Sequence, residues 1–316
     1  MTRVIFLTYF GYCHRLFTKV LLLTFLIKKN NEMKFKIFNF FIALSFLITS
    51  CQENKPAQTE EKSTRIVSLN GAISEIIVGL GHESNIVATD ITSNYPEKIN
   101  KLPKVGHNRS IQAEGVLAQS PDIVVGIQKE LNPKIIKQIK ESGVKVILFK
   151  QEHSIKGTKQ LIKEIKDSLN FNAVNDSLNI LIDQPIVKLK KFEKPPKVLF
   201  IYARGAGTIL VAGKNTQMDK IINIAGGENA VNSFDSFKPL TAEAIVTANP
   251  DVILMFTSGA KSLNGVFENV PGIMQTKAGK NKQIITMEGQ YLAGFGPRVG
   301  KAALELNKKL SEISLK

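Results

Sequence analysis

The chain has 316 residues, of which 43% are hydrophobic and 22% charged, a composition that allows a substantial core and is typical of two domains. Its two cysteines are too few for a disulfide framework or a cysteine-rich metal site. The net charge of +15 suggests nucleic acid, but residues 1–50 hold seven Lys/Arg against one acidic residue, which leaves 35 basic and 26 acidic residues in the rest. The remaining +9 is spread along helical patterns without interleaved aromatic residues, so we expect solvated lysine faces and no nucleic-acid partner.

The N-terminal region has the features of an export signal. From Met33 the chain runs through a basic start, an apolar stretch at Phe38–Ile48 and small residues before Cys51. The Ile-Thr-Ser-Cys ending resembles the bacterial lipobox, whose cysteine is acylated and anchors the protein stably. We predict that residues 1–50 are absent from the mature protein, that Cys51 carries the lipid and that residues 51–63 form a polar tether.

Another apolar run, Val20–Ile27, precedes Met33. It is shorter than the roughly 20 residues that a membrane-spanning helix needs. We interpret the residues before Met33 as an overextended start.

For Cys51 the alternative is an ordinary buried thiol. We expect a lipid-anchored protein in the periplasm of a Gram-negative bacterium, with exposure at the cell surface also open.

Short apolar strands alternate with helical patterns from residue 64 to residue 152, which predicts a parallel sheet. The predicted strands are Arg65–Leu69, Asn85–Asp90, Asp122–Gly126 and Lys145–Phe149. Helices are predicted at Ser74–Leu80 and from Pro133 to Gly143, because proline favours the first helical turn and glycine the end.

A lysine-rich amphipathic stretch from Ile155 to Phe192 follows, and the region 153–196 is predicted to be one connecting helix. The second α/β pattern covers residues 197–316. Its predicted elements are the strands Val198–Tyr202, Asp251–Met255 and Gln283–Met287, a helix ending at Gly226 and a final helix at Pro297–Ser311. The fold class is therefore α/β, with two Rossmann-like lobes of mostly parallel sheet joined by one long α-helix.

An internal repeat supports two similar lobes. Two segments 129 positions apart each contain a helix, a Pro-Asp turn and a buried strand. The identical pairs are Ala113/Ala242, Glu114/Glu243, Pro121/Pro250 and Asp122/Asp251. Any α/β protein can repeat such a unit, but helices ending at Gly81 and Gly226 add a second, weaker match. Duplicated lobes predict a cleft between them, which is a preferred place for a ligand.

Together these residues resemble the solute-binding proteins of ABC importers whose lobes are joined by one long helix, and which serve the import of haem, siderophores and cobalamin. The resemblance covers roughly Thr64–Leu310. Its motifs are Ser68-Leu-Asn-Gly-Ala-Ile-Ser-Glu-Ile, Thr92-Ser-Asn-Tyr-Pro, Val105-Gly-His-Asn-Arg, the two Ala-Glu…Pro-Asp units and Ala225-Gly-Gly-Glu-Asn.

Two further motifs, Lys238-Pro-Leu-Thr-Ala-Glu-Ala and Gly294-Phe-Gly-Pro-Arg, are most similar to the haem-binding branch. The resemblance therefore implies haem as the transported ligand, and not as a catalytic cofactor. A siderophore or cobalamin is the alternative.

The resemblance places the iron ligand at His107, where haem-binding relatives usually have tyrosine and where a histidine nitrogen can also bind iron. A loop histidine bonded to backbone is the alternative. His82 and His153 are expected to face solvent. The resemblance also implies that arginine side chains hold the haem propionates and that aromatic side chains line the cleft. These residues are Arg109, Arg298, Arg204, Tyr202, Tyr95, Tyr291 and Phe295. Solvent exposure is the alternative for Arg298, and ordinary core packing is the alternative for the aromatic residues.

Glu114 and Glu243 are implied to dock with arginines of the two permease subunits, one glutamate on each lobe. The alternative is that each lies on a solvated helix face. The expected partners are the ABC permease dimer with its ATPase, haem, and the membrane through the lipid anchor, and the protein is expected to be a monomer.

An enzyme is not expected. The sequence contains no Gly-x-Ser-x-Gly motif, no dinucleotide-binding fingerprint and no cysteine nucleophile beyond Cys51. Four scattered histidines also fit poorly with a zinc or manganese receptor.

Overall fold

The computed structural model describes residues 63–107, 110–171, 177–204, 208–239, 241–262, 268 and 270–314. Lys62–Lys316 form one compact unit. The predicted signal segment, Cys51 and nearly all of the tether lie outside the described residues. Within the described ranges, no helix has both the length and the apolar character needed to cross a membrane.

The first lobe contains a sheet of four parallel strands in the order β2-β1-β3-β4. The strands are β1 Ile66–Ser68, β2 Ile86–Thr89, β3 Ile123–Ile127 and β4 Lys145–Phe149. The helices are α1 Gly71–Gly79, α2 Glu97–Asn100, α3 Ala113–Leu117 and α4 Pro133–Glu141. All four predicted strands and both predicted helices of this lobe are confirmed to within a few residues.

The connecting stretch differs from the prediction of one unbroken helix. Its described residues form two helices, α5 Ile155–Ser168 and α6 Ser177–Ile186. Asn170 has φ 54°, a left-handed conformation that a right-handed helix cannot continue through, so α5 ends before it. α5 packs against α1 of the first lobe, whereas α6 packs against the last helix of the second lobe. By these contacts, α5 belongs to the first lobe and α6 mainly to the second.

The second sheet has the order β10-β9-β5-β6-β8, with β7 paired to β5. Its strands are β5 Lys197–Arg204, β6 Thr208–Ala212, β7 Glu228–Asn229, β8 Phe237–Pro239, β9 Val252–Phe256 and β10 Ile284–Met287. The helices are α7 Gln217–Ile224, α8 Ala242–Ala248, α9 Thr257–Ser262, α10 Lys277–Lys280, α11 Gly289–Ala293 and α12 Val299–Ser314. The predicted strands β5, β9 and β10 are parallel, and the unpredicted β6 and β8 are antiparallel to their neighbours.

Three apolar clusters form the core. The central cluster draws residues from both lobes, whereas each of the others belongs to one lobe. On β5, Val198 and Phe200 lie in the central cluster and Leu199 and Ile201 in the second-lobe cluster, as expected for a strand whose side chains alternate between faces. The two lobes are therefore held together by a shared apolar core.

The repeated Pro-Asp turns have the same structural role in both lobes. Asp122 Oδ2 accepts a hydrogen bond from the Arg65 backbone N–H at 2.8 Å, and Asp251 Oδ2 accepts one from the Lys197 backbone N–H at 2.9 Å. The Asp122 backbone N–H in turn donates to the Arg65 carbonyl at 2.9 Å, and the Asp251 backbone N–H donates to the Lys197 carbonyl at 2.8 Å. In each lobe the aspartate therefore fixes the start of an interior strand, β1 or β5.

Candidate functional site

The lobes contact each other at the carboxyl ends of their parallel strands. Asn94, which follows β2, donates from Nδ2 to Glu288 Oε1 at 3.0 Å, and Glu288 directly follows β10. Gln151, which follows β4, donates from Nε2 to the Gly294 carbonyl at 2.9 Å. Open α/β sheets bind ligands at the carboxyl ends of their strands, so this junction is the candidate ligand site.

His107 lies at this edge of the first lobe. The Ile91 N–H, just beyond β2, donates to the Gly106 carbonyl at 3.0 Å. Gly106 has φ 111°, which glycine adopts without strain, and it turns the chain just before His107. The Ser110 N–H donates to the His107 carbonyl at 2.7 Å. His107 is half-buried, so its backbone is held at the edge of the sheet while part of the residue is accessible.

Two apolar side chains lie on the same loop region of the first lobe. Ile91 is 52% exposed and Tyr95 is 47% exposed, so both leave apolar surface accessible on the loop that follows β2. Tyr95 was predicted from the sequence, whereas Ile91 was not. Arg109, also predicted here, lies outside the described residues.

The second lobe contributes an aromatic wall, which we define as Tyr202, Phe237 and Phe256. The Tyr202 ring centroid is 6.4 Å from that of Phe237 and 6.0 Å from that of Phe256, and all three residues are half-buried. Sequence reasoning found Tyr202 but missed the two phenylalanines, because their proximity depends on the register of β9 and on the unpredicted strand β8. Arg204 ends β5 beside this wall, but its side chain is not among those described.

Arg298 forms an ion pair with Glu75 of the first lobe. Its Nε and Nη2 donate to the two carboxylate oxygens of Glu75, at 2.8 and 2.6 Å, and the two side chains are only 16% and 5% exposed. The guanidinium carbon also lies 3.8 Å from the Tyr95 ring centre and 5.1 Å from the Tyr291 ring centre. Arg298 therefore links the lobes and supports Tyr95, and it is not a solvent-exposed helix residue.

The electrostatics of this cluster follow from its burial. Burial raises the pKa of Glu75, and the hydrogen bonds and charge of Arg298 oppose that rise. Burial also raises the pKa of Tyr291 to about 12, with a further contribution from Glu305. The Tyr291 phenol is thus neutral at physiological pH and is not a phenolate.

The predictions for the accessibility of Phe295, His153 and His82 are wrong. Phe295 was expected to line the cleft, but it is 1% exposed because its ring packs in the central cluster and its carbonyl accepts a hydrogen bond from Thr158 Oγ1 at 3.0 Å. His153 was expected to face solvent, but it is half-buried with its ring centroid 5.1 Å from that of Phe295, and burial lowers its pKa. His82 is likewise half-buried, and its ring stacks on Phe171 at 3.5 Å.

Glu114 and Glu243 occupy equivalent places. Each is the second residue of its helix, α3 or α8, and each is exposed. The Glu243 backbone amide and the Thr241 hydroxyl lower the pKa of Glu243, so this side chain is a carboxylate at neutral pH. The internal repeat therefore presents the same negative group once on each lobe.

Surface depressions occur elsewhere among the described residues. One lies at the start of β5 and includes Lys197 and Asn229, and another lies beside α5 and includes Lys163 and Leu178. Neither is lined by His107, Tyr95 or the aromatic wall, so neither coincides with the junction of the lobes.

The two α/β lobes meet at the carboxyl ends of their strands, an arrangement that is typical of a ligand-binding protein. The chain belongs to the periplasmic binding protein family, whose sequence profile matches residues 66–291. The members of this family that it resembles are solute-binding proteins, so the prediction that the chain is not an enzyme is confirmed. The family also supports the prediction that the protein is exported.

Proteins similar to this chain indicate which class of solute-binding protein it belongs to. The solved structure of the periplasmic heme-binding protein RhuT from Roseiflexus sp. RS-1, in its apo form, is 34% identical with a TM-score of 0.76, over 80% of this chain and 99% of that chain. The high-affinity heme uptake system protein IsdE of Staphylococcus aureus is 28% identical over 67% of this chain and 74% of its own. The vitamin B12-binding protein of Vibrio parahaemolyticus is 24% identical over 81% of this chain and 92% of its own. The chain is thus a substrate-binding protein of an ABC importer of the haem, vitamin B12 and siderophore class, which works with a permease and an ATPase.

Proposed function

We propose that this protein captures haem at the junction of its lobes and delivers it to an ABC permease dimer. The observation that carries the proposal is the position of His107, a half-buried residue whose imidazole can bind iron and which lies at the carboxyl edge of the first lobe, where Gly106 is bonded to the loop that also carries the exposed Tyr95. The heme-binding proteins RhuT and IsdE among the relatives support the same ligand.

The proposed site uses each kind of side chain for a different part of haem. His107 binds the iron, and the flat apolar macrocycle packs between Tyr95 and the aromatic wall. Arg109 and Arg204 hold the propionates, because a guanidinium donates two parallel hydrogen bonds to a carboxylate. Arg298 is already paired with Glu75, so its role is to hold Tyr95 and Tyr291 in place.

Haem titration of the purified protein tests this proposal. We expect a Soret band distinct from that of free haem, and we expect His107→Ala to shift it and to weaken affinity by about tenfold or more, because one iron–nitrogen bond is lost. His82→Ala is the matched control, since this histidine stacks on Phe171 and takes no part in the proposed site. A spectrum that remains that of free haem throughout the titration would contradict the proposal.

The vitamin B12-binding relative favours cobalamin as a second candidate, with a siderophore as a third member of the class. Neither ligand requires an axial histidine. If cobalamin saturates the wild-type protein and His107→Ala binds it equally well, the ligand is cobalamin and the iron-binding role of His107 is wrong.

We further propose that the protein is a monomer anchored through a lipid on Cys51 in the periplasm of a Gram-negative bacterium. In cells, Cys51→Ser is expected to remove lipid labelling, because thioether acylation requires the thiol. Ser50→Ala is the matched control, because it keeps the thiol and a small residue before it, and it is expected to leave labelling unchanged. Equal labelling of Cys51→Ser and wild type would show that the anchor lies elsewhere.

A further inference from the structure

The segment that leads to His107 is an added strand-like edge of the first sheet. The Thr89 N–H donates to the Pro103 carbonyl at 3.0 Å, and the Val105 N–H donates to the Thr89 carbonyl at 2.9 Å. One residue pair further on, Ile91 bonds to Gly106. Residues 103–106 therefore run parallel to the end of β2, and the position of His107 depends on this short ladder.

The Lys104 side chain joins this segment to the loop that follows β2. Its ammonium donates to Thr89 Oγ1 at 2.8 Å, to the Ser93 carbonyl at 2.6 Å and to the Ile99 carbonyl at 3.1 Å. A lysine ammonium has three protons, and each of them has an acceptor here. One side chain thus joins the His107 segment to β2, to the loop carrying Tyr95 and to α2.

The same loop is tied to the body of the lobe from its other side. The fully buried Asp90 accepts hydrogen bonds from the hydroxyls of Thr92 and Ser93, the latter at 2.6 Å. The Ser93 and Ser74 hydroxyls are 2.8 Å apart, and Ser74 belongs to α1. Buried hydrogen bonds therefore fix this loop to α1, and Lys104 connects the His107 segment to the loop.

We propose that Lys104 is a positioning residue for the ligand site, which sets the placement of His107 relative to the Tyr95 loop. This inference rests on the proposed function, since it assigns His107 to the ligand. Without the ammonium, the ladder of residues 103–106 opens more often, and His107 samples positions from which it does not bind iron. The consequence is faster loss of haem and a mixture of iron-ligation states, although no ligand contact has been removed.

Lys104→Met tests the inference, because methionine keeps an unbranched side chain of similar length without the three donors. We expect haem to dissociate about tenfold faster into a haem scavenger, which corresponds to about 1.4 kcal/mol of the stability that the three hydrogen bonds give to the His107 segment. We also expect a broadened Soret band. In the ligand-free protein, amide exchange at Val105 and Ile91 is expected to be faster by about the same factor.

Lys98→Met is the matched control. This lysine lies in α2, its side chain is 78% exposed, and its ammonium lies 3.4 Å from the Glu83 carboxylate, so haem dissociation and amide exchange are expected to match wild type. Lys104→Arg retains the charge but not the three-proton geometry, and it is expected to fall between wild type and Lys104→Met. All measurements are made well below the thermal midpoint of each variant, so that global unfolding does not contribute.

Two results would overturn the inference. One is a Lys104→Met protein with the wild-type rate of haem loss and an unchanged Soret band. The other is unchanged amide exchange at Val105 and Ile91, which needs no ligand. If wild type binds no haem, the proposed function fails, and the exchange measurement still decides whether Lys104 holds the His107 segment.

Discussion

Replacing both Glu114 and Glu243 by lysine is expected to abolish haem uptake by cells while the purified protein binds haem as wild type does. Each glutamate is exposed in the first turn of its helix, one on each lobe, and we propose that the pair docks with the two subunits of the permease. Reversed charge at both contacts turns attraction into repulsion, which slows encounter and disfavours the docked complex. Uptake is expected to fall by at least about tenfold in the double variant, and each single variant is expected to lie between, because one contact remains.

The measurement is uptake of labelled haem by cells that depend on this protein, together with a haem titration of each purified variant. Glu97→Lys combined with Glu312→Lys is the matched control, since it places the same charge change on exposed sites outside the repeat. Wild-type uptake by the Glu114/Glu243 double variant would show that these carboxylates do not dock a permease. A parallel loss in the control would show that net charge alone is responsible.

Replacing Arg298 by methionine is expected to lower the free energy of unfolding by about 3–5 kcal/mol, because it leaves the Glu75 carboxylate buried without its partner. Glu75 is 5% exposed, so water does not replace the two lost hydrogen bonds. Glu75→Leu combined with Arg298→Met is expected to regain most of this loss, because no unpaired charge remains. Denaturant unfolding monitored by circular dichroism measures all three proteins.

The loss of unfolding free energy in Arg298→Met is expected to depend on pH. Burial raises the pKa of Glu75 above its ordinary value of 4.5, and loss of Arg298 removes the groups that oppose this rise. The folded variant therefore binds a proton more tightly than the unfolded chain does, so the contribution of this proton to stability is fully present below about pH 4.5 and is lost as the pH rises through the folded pKa. The deficit should be largest near neutral pH and smallest in acid.

Lys159→Met is the control for this pair. Lys159 binds Asp183 at 2.6 Å, but the two side chains are 33% and 50% exposed, so the expected loss is about 1 kcal/mol or less. An Arg298→Met protein as stable as this control would show that the pair between the lobes contributes little. A deficit that does not change with pH would contradict the part assigned to Glu75.

Local sequence patterns were sufficient to predict most of the helices and strands. Pro133 and Gly143 bracket α4 because proline suits the first turn and Gly143 adopts φ 87° after the end. The strands were visible as β-branched apolar runs, and Lys145–Phe149 was predicted at its observed bounds. The length of the connecting helix was overestimated, because the amphipathic sequence pattern continues past Asn170, whose left-handed backbone conformation ends α5.

For the candidate site, the sequence alone determined which side chains have suitable chemistry, namely His107, Tyr95, Tyr202 and the repeated glutamates. Tertiary structure decided their partners. Arg298 meets Glu75 across 223 positions of sequence, and such a pair leaves no local pattern. The aromatic wall depends on the order of the strands, and the three acceptors of Lys104 depend on a loop folding back. Periodicity reports which face of an element is buried, whereas contacts between distant residues depend on register and packing, which no local pattern encodes.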